Sequence, residues 1–261
     1  MQNNFLESNM LLELAKRLDQ AANTATAIEQ LSNETQLDLT QAYEIQKLSI
    51  EQRLARGEQL VGIKMGFTSR AKMEQMGVDD LIWGRLTNTM IIDQDQAINL
   101  DKYVHPRAEP EIAFRLNCDL AGEISFEQAV KAIEAIAPAI EVIDSRYQNF
   151  KFSLADVIAD NCSSTGFIVG PWQSPNIDIS NLHMKLGINN ETAMSGPSSE
   201  ILEHPINSLI EAARIVAEYG ESLKAGQIVL AGAATAAVAL ERGQTVSVEV
   251  ENLGGCSFKT V

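Results

Sequence analysis

The chain has 261 residues, room for one large domain or one domain with a small appendage. Apolar residues make up 45% and charged residues 21%, and 20 basic against 35 acidic residues leave a formal charge of −15. That balance argues against nucleic acid and anionic membranes as partners, since both are gripped by clustered Lys and Arg.

The opening segment, MQNNFLESNMLLELAKRLDQ, carries acids early and lacks both a basic start and an uninterrupted apolar run. It reads as an amphipathic helix and not as a signal peptide. Leu11, Leu12, Leu14, Ala15, Leu18, Ala21 and Ala22 recur at helical spacing. Thr40 is placed to cap a second helix, which Gly57 closes. From Leu60 the texture changes. VGIKMGF reads as a strand, and TSRAKMEQMG as a short helix capped by Thr68 or Ser69 and ended by Gly77. Short apolar runs follow between Gly, Pro, Asn and Asp: MIIDQDQAINL, EIAFRLNCDL, AIEVIDS, TGFIVG, HMKLGINN, QIVLAG and TVSVEVENLG. Two helices interrupt them. Ser125 and Gln128 form a capping box before AVKAIEAIA, and Asn207 caps SLIEAARIVAEY, which Gly220 ends.

Strands that do not alternate with helices fit a doubly wound parallel sheet poorly. The pattern predicts an α+β chain with a rolled or sandwiched, mixed β core. Residues 1–59 form its helical N-terminal segment and residues 60–261 its β domain. The longest nearly apolar run, Ile228 to Leu240, has 13 residues, short of the roughly 20 a bilayer demands. Cys118, Cys162 and Cys256 are odd in number and form no CxxC pair. The expectation is a soluble cytoplasmic protein with reduced thiols.

The stretch richest in chemistry is HPRAEPEIAF, residues 105–114. Glu109 and Glu111 lie two apart at the entry to an apolar strand, so their carboxylates share a face. Like charges so placed repel unless a cation lies between them. Glu141 is a third acid, alone in the apolar APAIEVID. Three carboxylates without Cys or His suit a hard divalent ion such as Mg²⁺ or Mn²⁺. Against that stands a plainer arrangement, in which Arg107 neutralises one of the pair and Glu141 is exposed. Spacing alone leaves the two level.

Lys64 lies inside VGIKMGF, where a lysine either snorkels from an edge strand or faces a cavity or an anion, with the first slightly favoured. DNCSSTGFIVG, residues 160–170, offers hydroxyls that grip a carboxylate or, more often, serve turn chemistry. The small residues of LAGAATAAV, 230–238, allow close approach to a ligand or tight packing equally. His105, His183 and His204 are scattered, and Cys162 has no visible base, so it reads first as a small buried hydrophobe. A P-loop, a nucleophile elbow and a dinucleotide fingerprint are all missing.

Taken together, GIKMGFTSRAKMEQMGVDDLIWGRLT, HPRAEPEIAF, AIEVIDSR and DNCSSTGFIVG resemble the hydratase/decarboxylase branch of the fumarylacetoacetate hydrolase superfamily, over essentially the whole chain. The resemblance implies a mixed β-roll of the fumarylacetoacetase C-terminal-domain type, with Glu109, Glu111 and Glu141 holding Mg²⁺ or Mn²⁺. It implies a catalytic Lys64 and substrate contacts from Ser69, Arg70, Ser163 and Ser164, with no organic cofactor. Implied too are decarboxylation of 2-oxohex-3-enedioate in meta-cleavage catabolism of aromatic compounds, a homo-oligomer, and a complex with a 2-hydroxypentadienoate hydratase. Hydratases of this branch end the counterpart of GVDDLIWG in Asp-Phe-Gly, where this chain has Ile82-Trp83-Gly84. An isoleucine cannot deliver water or a proton, which favours decarboxylation. Hydration is the alternative, and a non-catalytic structural subunit the remoter one. Arg85 and Arg107, beside Arg70, are further sources of positive charge for a dianionic substrate on this acidic body.

Overall fold

Apolar residues at helical spacing build α1 (Gln2–Thr24) and turn Leu11, Leu14, Ala15, Leu18 and Ala21 inward. The computed structural model describes residues 2–69 and 81–261. The short helix expected over residues 68–77 therefore lies almost wholly outside the described residues, as does Arg70. Helix α2 (Leu39–Ala55) packs on α1, and Arg56 clamps Asp19 through two hydrogen bonds of 2.7 Å. Its cap is Asp38, not Thr40. Asp38 accepts from the Gln41 backbone while the Gln41 side chain caps Asp38 in return, a reciprocal box that Thr40, followed by Tyr43 at the third position, has no partner to make. Gly57, at φ +100, closes the helix as expected.

Among the described residues twelve strands make two sheets. They are β1 (Leu60–Gly66), β2 (Ile82–Thr87), β3 (Ala97–Ile98), β4 (Arg107–Leu116), β5 (Ile133–Ile143), β6 (Ser164–Val169), β7 (His183–Ile188), β8 (Glu191–Pro197), β9 (Ile228–Ala233), β10 (Val238–Ala239), β11 (Thr245–Val250) and β12 (Gly254–Thr260). The larger sheet runs β2-β1-β9-β4-β5-β6, with β10 on β4; the smaller runs β3-β12-β11-β7-β8. Pairing is antiparallel except for β1 with β9 and β12 with β3, so both sheets are mixed. The smaller sheet packs through β11 and β12 onto β5.

Among the described residues three further α-helices complete the shell: α3 (Phe126–Ala132), α4 (Leu154–Ala159) and α5 (Pro205–Glu218). The Ser125–Gln128 box starts α3 as expected, yet the helix stops at Ala132 and the chain enters β5. Pro138 and the β-branched Ile133, Ile136, Ile140, Val142 and Ile143 explain the switch, because they favour strand over helix and proline breaks a helix interior. Helix α5 is capped by His204, whose Nδ1 accepts from the Ile206 backbone at 3.1 Å, and not by Asn207. Pro205 at the first helical position sets that earlier start. The main apolar core runs from Leu11 and Ile45 in the helices to Phe114, Ile140 and Phe258 in both sheets, and a smaller separate cluster gathers Leu86, Met90, Ala113, Ala139, Phe167 and Leu230.

Candidate active site

Four adjacent strands of the larger sheet carry the cluster: Lys64 on β1, Glu109 and Glu111 on β4, Glu141 on β5, and the Gly232 backbone on β9. The β4–β5 register sets Glu109 directly opposite Glu141, and one oxygen of each glutamate lies within 4.8 Å of the others. Glu111 and Glu141 are fully buried. Burial, reinforced by the neighbouring glutamates and only partly offset by Lys64, raises the pKa of both.

The protein satisfies half of each buried carboxylate. Glu111 Oε2 accepts the Gly232 N–H at 2.7 Å, and Glu141 Oε2 accepts Lys64 Nζ at 3.0 Å. Oε1 of both has no partner. A buried carboxylate oxygen without a donor costs free energy. Among the described residues three carboxylates face one ammonium, an excess of negative charge that a divalent cation would neutralise. The donor set is all oxygen and clustered, so these residues fit Mg²⁺ or Mn²⁺.

Lys64 does not snorkel. It is 4% exposed and ion-paired to Glu141. Burial works against its charge, but the neighbouring acidic groups, Glu141 foremost, outweigh it and hold the pKa above the ordinary lysine value. Lys64 is thus a fixed ammonium.

Beside the cluster opens a cavity of about 240 Å³, lined by Lys64, Glu109, Arg107 and Ser163 and walled by Met65, Ile82, Ile143, Phe150, Phe152 and Val157. Its size suits a small acid held in apolar surroundings. One edge is a left-handed turn, in which Asn161, Cys162 and Ser163 have φ of 50, 52 and 59. Three such residues in a row are strained, and strand β2 holds them. Asn161 accepts from the Arg85 N–H at 2.7 Å and donates to its carbonyl at 2.9 Å, while Cys162 Sγ donates to the Trp83 carbonyl at 3.0 Å. Gly84 permits this contact, since a Cβ there would meet the Asn161 carbonyl oxygen at 2.6 Å. The turn leaves the Ser163 hydroxyl buried, unpartnered and on the cavity wall. Ser164 points to Glu141 without closing a hydrogen bond of full geometry.

The residues singled out from sequence therefore divide. Lys64, Glu109, Glu111, Glu141 and Ser163 come together, with Ser164 behind Glu141. Ser69 is buried but off the cavity wall. Glu141 is not exposed, and Arg107 does not neutralise the glutamate pair; its guanidinium lies 4.3 Å over the Phe150 ring. Arg85 is taken up elsewhere, bonded to Gln46 and Glu221 and stacked on Trp83. Cys162 is the buried hydrophobe expected, its thiol pushed up to about 12 by burial. Phe150 and Phe152 and the Gly232 N–H escaped the sequence reading; the only signal for the last was the run of small residues around it.

A mixed β-roll with this carboxylate and lysine cluster marks a defined class of enzyme. The chain belongs to the fumarylacetoacetate hydrolase family, whose C-terminal-domain model matches residues 61–261. It is 53% identical over 247 residues to a 4-oxalocrotonate decarboxylase of Pseudomonas sp., spanning 95% of this chain and 96% of that one. The solved 4-oxalocrotonate decarboxylase of Pseudomonas putida G7, complexed with magnesium and adipate, superposes with a TM-score of 0.95 at 34% identity, covering 97% of this chain and 98% of that one. A 2-hydroxyhexa-2,4-dienoate hydratase of Comamonas testosteroni is 30% identical, over 94% and 95% of the two chains.

Proposed function

We propose that the chain is a carboxy-lyase that converts 4-oxalocrotonate (2-oxohex-3-enedioate) to 2-hydroxypenta-2,4-dienoate and CO₂ in meta-cleavage catabolism of aromatic compounds. The observation that carries this reading is the glutamate triad, with Glu111 and Glu141 fully buried and Glu141 paired with Lys64, at the wall of an apolar cavity into which Ile82 projects. Glu109, Glu111 and Glu141 would hold Mg²⁺ or Mn²⁺. When bound, the ion supplies Lewis acidity to the 2-oxo acid end of the substrate.

The distal carboxylate is vinylogous to that of a β-keto acid. As its C–C bond breaks, the electron pair moves through the alkene onto the ketone oxygen, which takes up a proton to give the dienol. Lys64, anchored by Glu141, offers fixed positive charge where that oxygen becomes anionic. Ser163 and Ser164 both have buried hydroxyls free to bond a substrate oxygen, Ser163 on the cavity wall and Ser164 beside Glu141. We assign Ser69 and Arg70 to substrate contact on family resemblance alone. Phe150, Phe152 and Val157 keep water from the reacting carbons. No organic cofactor is needed, because the substrate is its own electron sink.

Ile82, 3% exposed, lies on the cavity wall where the hydratases of this branch carry an acid, which supports decarboxylation over hydration. On the same reading residues 1–59 support a catalytic domain of residues 60–261. The enzyme works in the cytoplasm as a homo-oligomer, in complex with the hydratase that consumes its product. No described helix is long and apolar enough to cross a membrane. The test is metal-free protein assayed with 2-oxohex-3-enedioate, with Mg²⁺ or Mn²⁺ added back. CO₂ release restored by metal is expected; none under either condition overturns the proposal.

A further inference from the structure

We infer that Arg107, seated on Phe150, is the specificity residue that recognises the distal carboxylate and makes this a site for diacids over monoacids. The inference deepens the proposed function and rests on it for the substrate. It starts from an uncommitted charge. Among the described residues Arg107 makes no ion pair and no side-chain hydrogen bond; its guanidinium lies over the face of Phe150, and both line the cavity. A guanidinium stacked on an aromatic ring keeps its in-plane donors aimed outward, ready for two parallel bonds to a carboxylate. The other described arginine weighed for this role, Arg85, is already satisfied by Glu221 and Gln46.

Spacing supports the assignment. Arg107 and Glu109 lie two residues apart on β4, so both side chains face the same way, about 7 Å apart along the strand. A six-carbon diacid has five C–C bonds of about 1.5 Å and zigzags to roughly 6 Å. With its 2-oxo acid end at the glutamates, its other end falls at Arg107. The charges also match: the glutamates repel a free carboxylate at their end, and Arg107 is the cation at the other.

Pairing the carboxylate that leaves as CO₂ has a kinetic signature. That group loses its charge in the transition state, so Arg107 stabilises bound substrate at least as much as the transition state. Its loss should raise KM and leave kcat nearly unchanged.

The experiment compares inhibition by adipate, a C6 diacid, and hexanoate, its monoacid counterpart, in the Mg²⁺-loaded enzyme and in Arg107→Met and Arg107→Lys. Wild type should favour adipate. Arg107→Met should weaken adipate roughly 10- to 100-fold, the range of a charge-assisted pair, with hexanoate within about twofold, and Arg107→Lys should restore part of the preference. Equal affinity for the two acids in wild type, or an unchanged ratio in Arg107→Met, overturns the inference. So does a variant whose kcat falls while KM stays put. Mn²⁺ titration of each variant shows whether the site is intact, and Arg107→Lys carries the test should Arg107→Met fail to fold. Adipate and hexanoate displacement of a bound anionic fluorophore reads the same ratio without turnover. An enzyme that discriminates diacids through Arg107 yet releases no CO₂ would sink the decarboxylase reading and leave this one standing.

Discussion

At the scale of single residues the described part of the site carries a charge imbalance that destabilises it until a cation binds. Glu111 illustrates it: one oxygen is bonded to the Gly232 N–H and the other is buried without a donor. Replacing it with Gln removes a buried charge while keeping the shape. The metal-free Glu111→Gln protein should therefore melt no lower than wild type, gaining about 1 kcal/mol or more, and its melting temperature should no longer rise on adding Mg²⁺. Scanning calorimetry with and without the ion checks both halves; a Mg²⁺ shift equal to that of wild type would remove Glu111 from the metal site. Lys64→Ala should behave oppositely. Losing the ammonium leaves the triad more negative, so Mn²⁺ affinity holds or increases while turnover falls about 10²- to 10³-fold, the loss typical of one donor at a developing oxyanion. Isothermal titration beside steady-state rates decides it, and normal turnover would make Lys64 structural. The thiols give a third check. Cys162 and Cys256 are buried with thiols pushed up to about 12, whereas Cys118 is exposed. A disulfide reagent at pH 8 should titrate one thiol per folded chain and three after denaturation.

At the scale of elements, close backbone approach decides where the side chains sit. Gly232 has φ +100, and a Cβ there would fall 2.0 Å from Thr68 Oγ1. Gly243 has φ +79 but nothing within 4 Å, so it isolates backbone strain from crowding. Gly232→Ala should lose more than about 2 kcal/mol of stability and weaken Mn²⁺ binding, while Gly243→Ala should cost about 1 kcal/mol and leave the metal untouched. Equal losses from the two would mean that the Gly232 approach to Thr68 is unimportant. The same physics marks how far the sequence could be read. Alternation put Glu109 and Glu111 on one face, and the Ser125–Gln128 box started a helix where expected, because both depend on neighbours two or three residues away. The helix run on past Ala132, the cap given to Thr40 in place of Asp38, and the missed strands β2, β8, β10 and β12 are errors of local ambiguity that tertiary pairing resolves. Lys64 against Glu141, 77 positions apart, and Arg107 over Phe150 could not be seen from spacing, since they exist only once β1, β5 and the Phe150 loop converge.

At the scale of the whole molecule, an acidic body carries an oxo-diacid site by concentrating positive charge locally. The formal −15 belongs to the whole chain; at the cavity Lys64 and Arg107 stand beside the three glutamates, and a divalent cation held by those glutamates would turn the local balance positive. What then separates decarboxylation from hydration on one scaffold is the remaining wall, and Ile82 is its telling residue. It projects into the cavity from β2, pressed against Gly66 of β1, where a Cβ would meet Ile82 Cγ1 at 2.9 Å. A hydratase needs a positioned acid–base group to add water to the dienol, and here that position is apolar. The purified protein should release CO₂ from 2-oxohex-3-enedioate yet hydrate 2-hydroxypenta-2,4-dienoate slower by roughly two to four powers of ten, the worth of one positioned acid–base group. Parallel assays of CO₂ release and of loss of the dienol chromophore measure that gap. Hydration at a comparable rate by the protein alone would make the chain a hydratase. Ile82→Asp should narrow the gap by raising hydration from its baseline, at a cost of about 2 kcal/mol or more in stability, because a new carboxylate enters a tightly packed apolar wall. A variant that folds and binds metal but shows no rise in hydration would move the source of the selectivity away from Ile82.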